Sequence, residues 1–145
     1  MSNLCQPNGD DYPEAARKHL DDARALLNAG RYDGAGYHAG YVIECALKTL
    51  LLVGHGRRQL RGHDLGALSQ QAAALTVAGS PWTARYIPNP LPRLAYDTPP
   101  QGWQETMRYR AQGDLTGSIA QSWLAESKRI YRATVAAMRK DGVIQ

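Results

Sequence analysis

Tyr37, Tyr41, Glu44 and Lys48 are the residues of this chain whose types and spacing are best suited to chemistry. At about 100° per residue they fall within about 60° of one another on a helix. A carboxylate four residues before an amine is the favoured order for a helical ion pair. Around the rest of that helix stand Ala35, Ala39, Val42, Ile43, Cys45, Ala46, Leu47, Leu50, Leu52 and Val53. A helix apolar on most sides is the buried centre of a bundle, where charges lose hydration and must be paired or put to use. Two readings follow: a satisfied structural pair at a groove or dimer face, or the floor of a polar site between helices.

The elements that position this stripe are helical. Asp10 or Asp11 can cap a first helix that Pro13 begins, with Glu14 in its first turn. Tyr12, Ala16, Leu20, Ala23 and Leu27 mark its inner face, Arg17, Lys18, Asp21 and Arg24 its outer one, and His19 borders the apolar side as a packed histidine. Asn28-Ala29-Gly30 ends it, and a short link makes the central helix over 33–53 its antiparallel neighbour. Gly34, Gly36 and Gly40 inside that helix each cost about 1 kcal/mol relative to Ala, so close helix approach or room for a ligand must compensate.

After Gly54-His55-Gly56 comes a basic linker with Arg57, Arg58 and Arg61. Asp64 suits the N-cap of a third helix through about Thr76, with Leu65, Leu68, Ala72 and Leu75 inward. Residues 79–102 carry Pro81, Pro88, Pro90, Pro92, Pro99 and Pro100, which leave space for little more than a turn or two. Trp82, Tyr86, Tyr96 and Trp103 are expected to pin this connection to the core, and a link that long suggests a functional flap. The last helix starts near Leu115 or Thr116, burying Ile119, Ala120, Trp123, Leu124, Ile130, Tyr131, Ala137 and Met138. Gln121, Lys128, Arg129, Arg132, Arg139 and Lys140 lie opposite, and no acid occurs between Ser127 and Lys140. Helix-end cations are favourable in themselves, and a phosphate-tracking face is the functional alternative.

Bulk properties narrow the classes. With 145 residues, 43% of them hydrophobic, the chain suits one globular domain. The expected division is a flexible tail over 1–10 and one helical domain over 11–141. Bases and acids balance over 1–72, eight against eight, whereas 73–145 holds nine bases and five acids. That excess permits phosphate-bearing partners without requiring them. The apolar run from Tyr41 to Val53 is too short and too charged to span a bilayer, and residues 1–14 hold no apolar run, which predicts the cytoplasm. Cys5 and Cys45 give no disulfide framework, and His19, His38, His55 and His63 have no CxxC beside them, so neither metal nor cofactor is expected. Strand alternation is absent, and the expected fold is all-α.

Tyr37-His38-Ala39-Gly40-Tyr41-Val42-Ile43-Glu44-Cys45-Ala46-Leu47-Lys48 is the core of a resemblance. Ala-Arg-Lys-His-Leu-Asp-Asp-Ala and Gly-Arg-Tyr-Asp precede it; Gly62-His63-Asp64-Leu65, Leu68 and Arg108-Tyr109 follow. Together, over residues 12–140, these elements resemble the HEPN domain (higher eukaryotes and prokaryotes nucleotide-binding). The resemblance implies a four- or five-helix up-and-down bundle, usually dimeric, in RNA or nucleotide biology. It also implies a minimal nucleotidyltransferase as partner in toxin–antitoxin or defence modules.

Many such domains are metal-independent RNases whose signature is an Arg followed four to six residues later by His. Arg58 and His63 fit that spacing: histidine would take a 2′-hydroxyl proton, the guanidinium would hold phosphate, and Glu44 would orient the arginine. The same stretch is also similar to the linker of a non-catalytic subgroup, in which His-Asp-Leu begins the third helix. No histidine follows Arg108-Tyr109-Arg110.

Three functions stay open. The first is a binding module for nucleotide or RNA, with Tyr37, Tyr41, Glu44 and Lys48 lining a groove and His63, Asp64, Arg108 and Tyr109 at its rim. The second is an endoribonuclease using Arg58 and His63. The third is a dimeric scaffold, with His63 pinning the third helix and Arg108-Tyr109 a packed corner.

Overall fold

The computed structural model describes residues 1–56, 60–78, 81–95 and 102–145. Its helices are α1 (Tyr12–Asn28), α2 (Tyr32–His55), α3 (Leu65–Ala73), α4 (Leu75–Ala78), α5 (Gly117–Tyr131) and α6 (Ala137–Lys140). A π segment, Arg132–Ala136, joins α5 to α6, and 3-10 turns occupy Pro81–Tyr86, Arg93–Ala95 and Glu105–Tyr109. Among the described residues there is no strand, and the all-α bundle expected from periodicity is the fold. None of these helices is long and apolar enough to cross a membrane.

The helix boundaries follow local chemistry. The Asp11 carboxylate accepts from the Glu14 amide and from the Ser2 amide and hydroxyl, so it caps α1 and holds the start of the segment read as a tail. Gly30, at φ 71, takes the left-handed conformation that turns the chain from α1 into α2, and the Arg31 amide closes on the Leu26 carbonyl at 2.8 Å. Asp64 caps α3 through the Ala67 amide as expected, and Thr116, where the last helix was expected to start, caps α5 through the Ile119 amide. The third helix, expected to run unbroken to Thr76, breaks at Ala74.

α2 is the axis of the molecule: Val42, Ile43, Ala46, Leu47, Leu50 and Leu51 are fully buried among α1, α3 and α5. The glycines of α2 do allow close approach, but not of another helix backbone. A Cβ on Gly40 would lie 2.1 Å from the Trp103 indole, and one on Gly36 would lie 2.2 Å from Leu115.

Several expectations for buried residues are corrected, and Tyr131, like Ala137, is only half-buried. Ile119 is 39% exposed, because Leu115, just ahead of α5, fills the space against Gly36. In the π segment the Thr134 hydroxyl donates to the Ile130 carbonyl at 2.9 Å, and the widened turn carries Val135 into the core while Ala137 is only half-buried. Tyr86 and Trp103 pin the proline-rich connection as expected, but Trp82 is 51% exposed. Tyr96 lies outside the described residues.

One long-range clamp sets an acid limit to stability. Arg139 of α6 and Arg17 hydrogen-bond the Glu14 carboxylate and hold it below its ordinary 4.5. A carboxyl lowered in this way stabilises the fold fully above about pH 4.5, and the contribution disappears as pH falls through the lowered value. Glu14→Gln should therefore be less stable than the wild type at pH 7. In urea titrations across pH 3–7, the two proteins should converge at the acid end; a gap unchanged with pH would refute the clamp.

Candidate functional site

Helical spacing and the α3 cap bring the polar residues of α2 to one side of the bundle, where His63 and the Glu105–Tyr109 turn meet them. Glu44 and Lys48 are only 3% and 5% exposed, so they form the base beneath the groove rather than its open lining. Lys48 Nζ donates to Glu44 Oε1 at 2.7 Å. His63 Nδ1 lies 3.0 and 2.9 Å from the two oxygens of that carboxylate, and its Nε2 lies 3.0 Å from Glu105 Oε2. Each ring nitrogen thus faces a carboxylate, Nδ1 that of Glu44 and Nε2 that of Glu105. The two carboxylates hold the ring from both edges, between α2 and the Glu105–Tyr109 turn.

Above the charged base lies an aromatic wall. The Tyr37 hydroxyl is 3.3 Å from that of Tyr41. Tyr41 meets Trp103 edge-on with ring centroids 5.1 Å apart, and meets His63 at 6.0 Å. The Trp103 indole donates to the Tyr37 carbonyl at 2.9 Å, fixing the connection against α2. Burial and the Tyr37 hydroxyl push Tyr41 far above the usual tyrosine range, so it stays neutral. Burial likewise pushes the Cys45 thiol up to about 12, which leaves it inert.

The rim is open. Arg108 is exposed, with its guanidinium 4.9 Å over the Tyr109 ring, and Tyr109 is 77% exposed. Neighbouring Tyr109 and Tyr37 hold Arg108 still more firmly in its charged form. Among the described residues no carboxylate pairs with Arg108, whereas Arg110 is tied to Asp114 at 2.9 Å. Two shallow pockets flank the wall. One, of ≈ 390 Å³, is bounded by Tyr37, Arg108, Arg110 and Asp33; the other, of ≈ 470 Å³, by His63, Asp64, Trp103 and Glu105.

Of the residues singled out in the sequence, Tyr37, Tyr41, Glu44, Lys48, His63, Asp64, Arg108 and Tyr109 all lie in or beside this crevice. Asp64 is spent on capping α3. Arg58, the proposed partner of His63, lies outside the described residues. Glu105 was missed, and so was Asp33, which accepts from the Gly113 and Leu115 amides at 2.7 Å each and anchors the approach to α5. Neither carries a local pattern, since each acts on a segment remote in sequence.

On the opposite side of Tyr41, His19 stacks against the tyrosine ring at 5.2 Å and its Nδ1 faces His38 Nδ1 at 2.9 Å. Burial, followed by the His38 ring, pushes His19 down to about 4, and burial lowers His38. The packed-histidine expectation for His19 thus gains a polar partner on α2.

No curated protein and no solved structure matches the chain significantly. A model of the HEPN domain matches residues 10–137, which include the three capped helices α1, α3 and α5 and the whole crevice. The chain therefore belongs to the HEPN domain family, a family associated with nucleotide and RNA binding.

Proposed function

We propose that this protein is a binding module for RNA or a nucleotide, with the crevice between α2 and the Glu105–Tyr109 turn as its site. The observation that carries this reading is the rim: a guanidinium that no carboxylate pairs among the described residues, beside an exposed tyrosine, above an aromatic wall. Arginine meets phosphate with a fork of donors, and a base stacks on an exposed ring with little regard to sequence. Glu44, Lys48, His63 and Glu105 hold the wall in register from below. Family membership supports pairing with a minimal nucleotidyltransferase in a toxin–antitoxin or defence module, and a homodimer as the working unit.

The endoribonuclease reading needs His63 as a base. With Nδ1 on Glu44 and Nε2 on Glu105, that ring is arranged to hold α2, α3 and the Glu105 turn together. The crevice geometry favours binding over cleavage.

Fluorescence anisotropy with a labelled single-stranded RNA tests the reading. Tyr109→Ala should cost about 1–3 kcal/mol of binding free energy through lost stacking. Arg108→Ala should weaken binding and reduce the slope of log K against log salt by about 1. If both variants bind as the wild type does, the crevice is not the site. Release of cleaved RNA that His63→Ala abolishes would replace this reading with the nuclease one.

A further inference from the structure

The contact between His19 and His38 lies behind the aromatic wall and does not rest on the proposed RNA site. We propose that His19, Asp22 and His38 form a binding site for a divalent transition-metal ion of the zinc class, bridging α1 and α2.

His19 and Asp22 stand three residues apart on one face of α1, and His38 faces them from α2. The helices come close here because Ala16, Ala23 and Ala39 are small and fully buried. The two Nδ1 atoms are 2.9 Å apart, Asp22 Oδ2 is 3.8 Å from His38 Nδ1, and all three ligand atoms lie within 4.8 Å of one another. Zn–N bonds of about 2.0–2.1 Å put two imidazole nitrogens roughly 2.9 Å apart at a right angle and roughly 3.3 Å apart at the tetrahedral angle. A shared ion therefore needs little or no backbone movement. Two imidazoles and one carboxylate form a donor set that suits zinc, cobalt and nickel better than calcium or magnesium.

The rings are also held in place. Tyr41 stacks on His19 with planes 24° apart, and Tyr37 meets His38 edge-on at 5.9 Å. Orientation by neighbouring groups is what distinguishes a prepared ligand pair from two mobile surface histidines. Asp22 is half-exposed, so the remaining coordination positions open to water. A hydrogen bond between two neutral imidazoles, one donating and one accepting, would give the same 2.9 Å contact without any ion. The two arrangements differ in what added metal does.

The test is calorimetric titration of the chelator-stripped full-length protein with zinc chloride. One zinc per chain is expected, with affinity reduced at least about tenfold in His19→Ala and in His38→Ala and unchanged in His55→Ala. Asp22→Asn should weaken binding less than either histidine change. In the unmutated protein, zinc should move the imidazole nitrogen resonances of His19 and His38 together, a readout that does not depend on a variant folding. Failure to bind near one ion per chain, or zinc shifts confined to other histidines, would overturn the site and leave the hydrogen-bonded pair.

Discussion

Glu44→Ala is expected to destabilise the protein by about 3–5 kcal/mol, the usual consequence of removing one partner from a buried ion pair. Lys48 is almost completely enclosed, and its 2.7 Å bond to Glu44 is the ion pair that matches its charge. The Tyr12 ring, 5.5 Å away, also faces it but offsets far less than a carboxylate would. The substitution also removes one of the two carboxylates that hold His63, so the start of α3 should loosen as well. Glu44→Gln keeps a hydrogen-bond acceptor and should fall between alanine and wild type. The double variant Glu44→Leu with Lys48→Met removes both charges and should recover much of the loss, because a buried pair owes its sensitivity to orphaned charge. Urea unfolding followed by circular dichroism reads all four proteins. Equal stability of Glu44→Ala and wild type would show that the pair is solvated.

Gly40→Ala is the second large effect. An added Cβ would sit 2.1–2.2 Å from three atoms of the Trp103 indole, well inside contact distance. The ring must move, and its 2.9 Å bond to the Tyr37 carbonyl goes with it. Overpacking of this kind costs about 1–3 kcal/mol, partly offset by the better helix propensity of alanine. Function should suffer more than stability: displacing Trp103 shifts the segment that carries Glu105, Arg108 and Tyr109, and RNA affinity should fall with it. Gly34→Ala is the internal control, since its Cβ meets only the flexible end of Leu26, at 3.1 Å. Trp fluorescence and RNA affinity should change in the first variant and stay near wild type in the second.

What was legible in the sequence was local. The caps at Asp11 and Asp64 and the stripe on α2 depend on neighbours a few residues away, and periodicity or capping chemistry reports those directly. The depth of Glu44 and Lys48 was less legible, because it depends on which elements cover α2. Glu105 was invisible for the same reason: it reaches His63 only because Trp103 docks on Gly40. The His19–His38 contact crosses two helices and leaves no motif spacing. Ile119 misled because its apolar character put it on the inner face, whereas Leu115, just ahead of α5, is the residue buried there.

The central claim, that the crevice and not the basic face of the last helix receives the ligand, is tested most directly by titrating isotope-labelled protein with a short single-stranded RNA. The Trp103 indole proton, hydrogen-bonded to Tyr37 at the crevice wall, is the reporter. We predict that its resonance and the amides of Tyr37, Arg108 and Tyr109 shift together and saturate at one affinity. Shifts confined to Lys128, Arg132, Arg139 and Lys140, with the indole signal unmoved, would contradict the account.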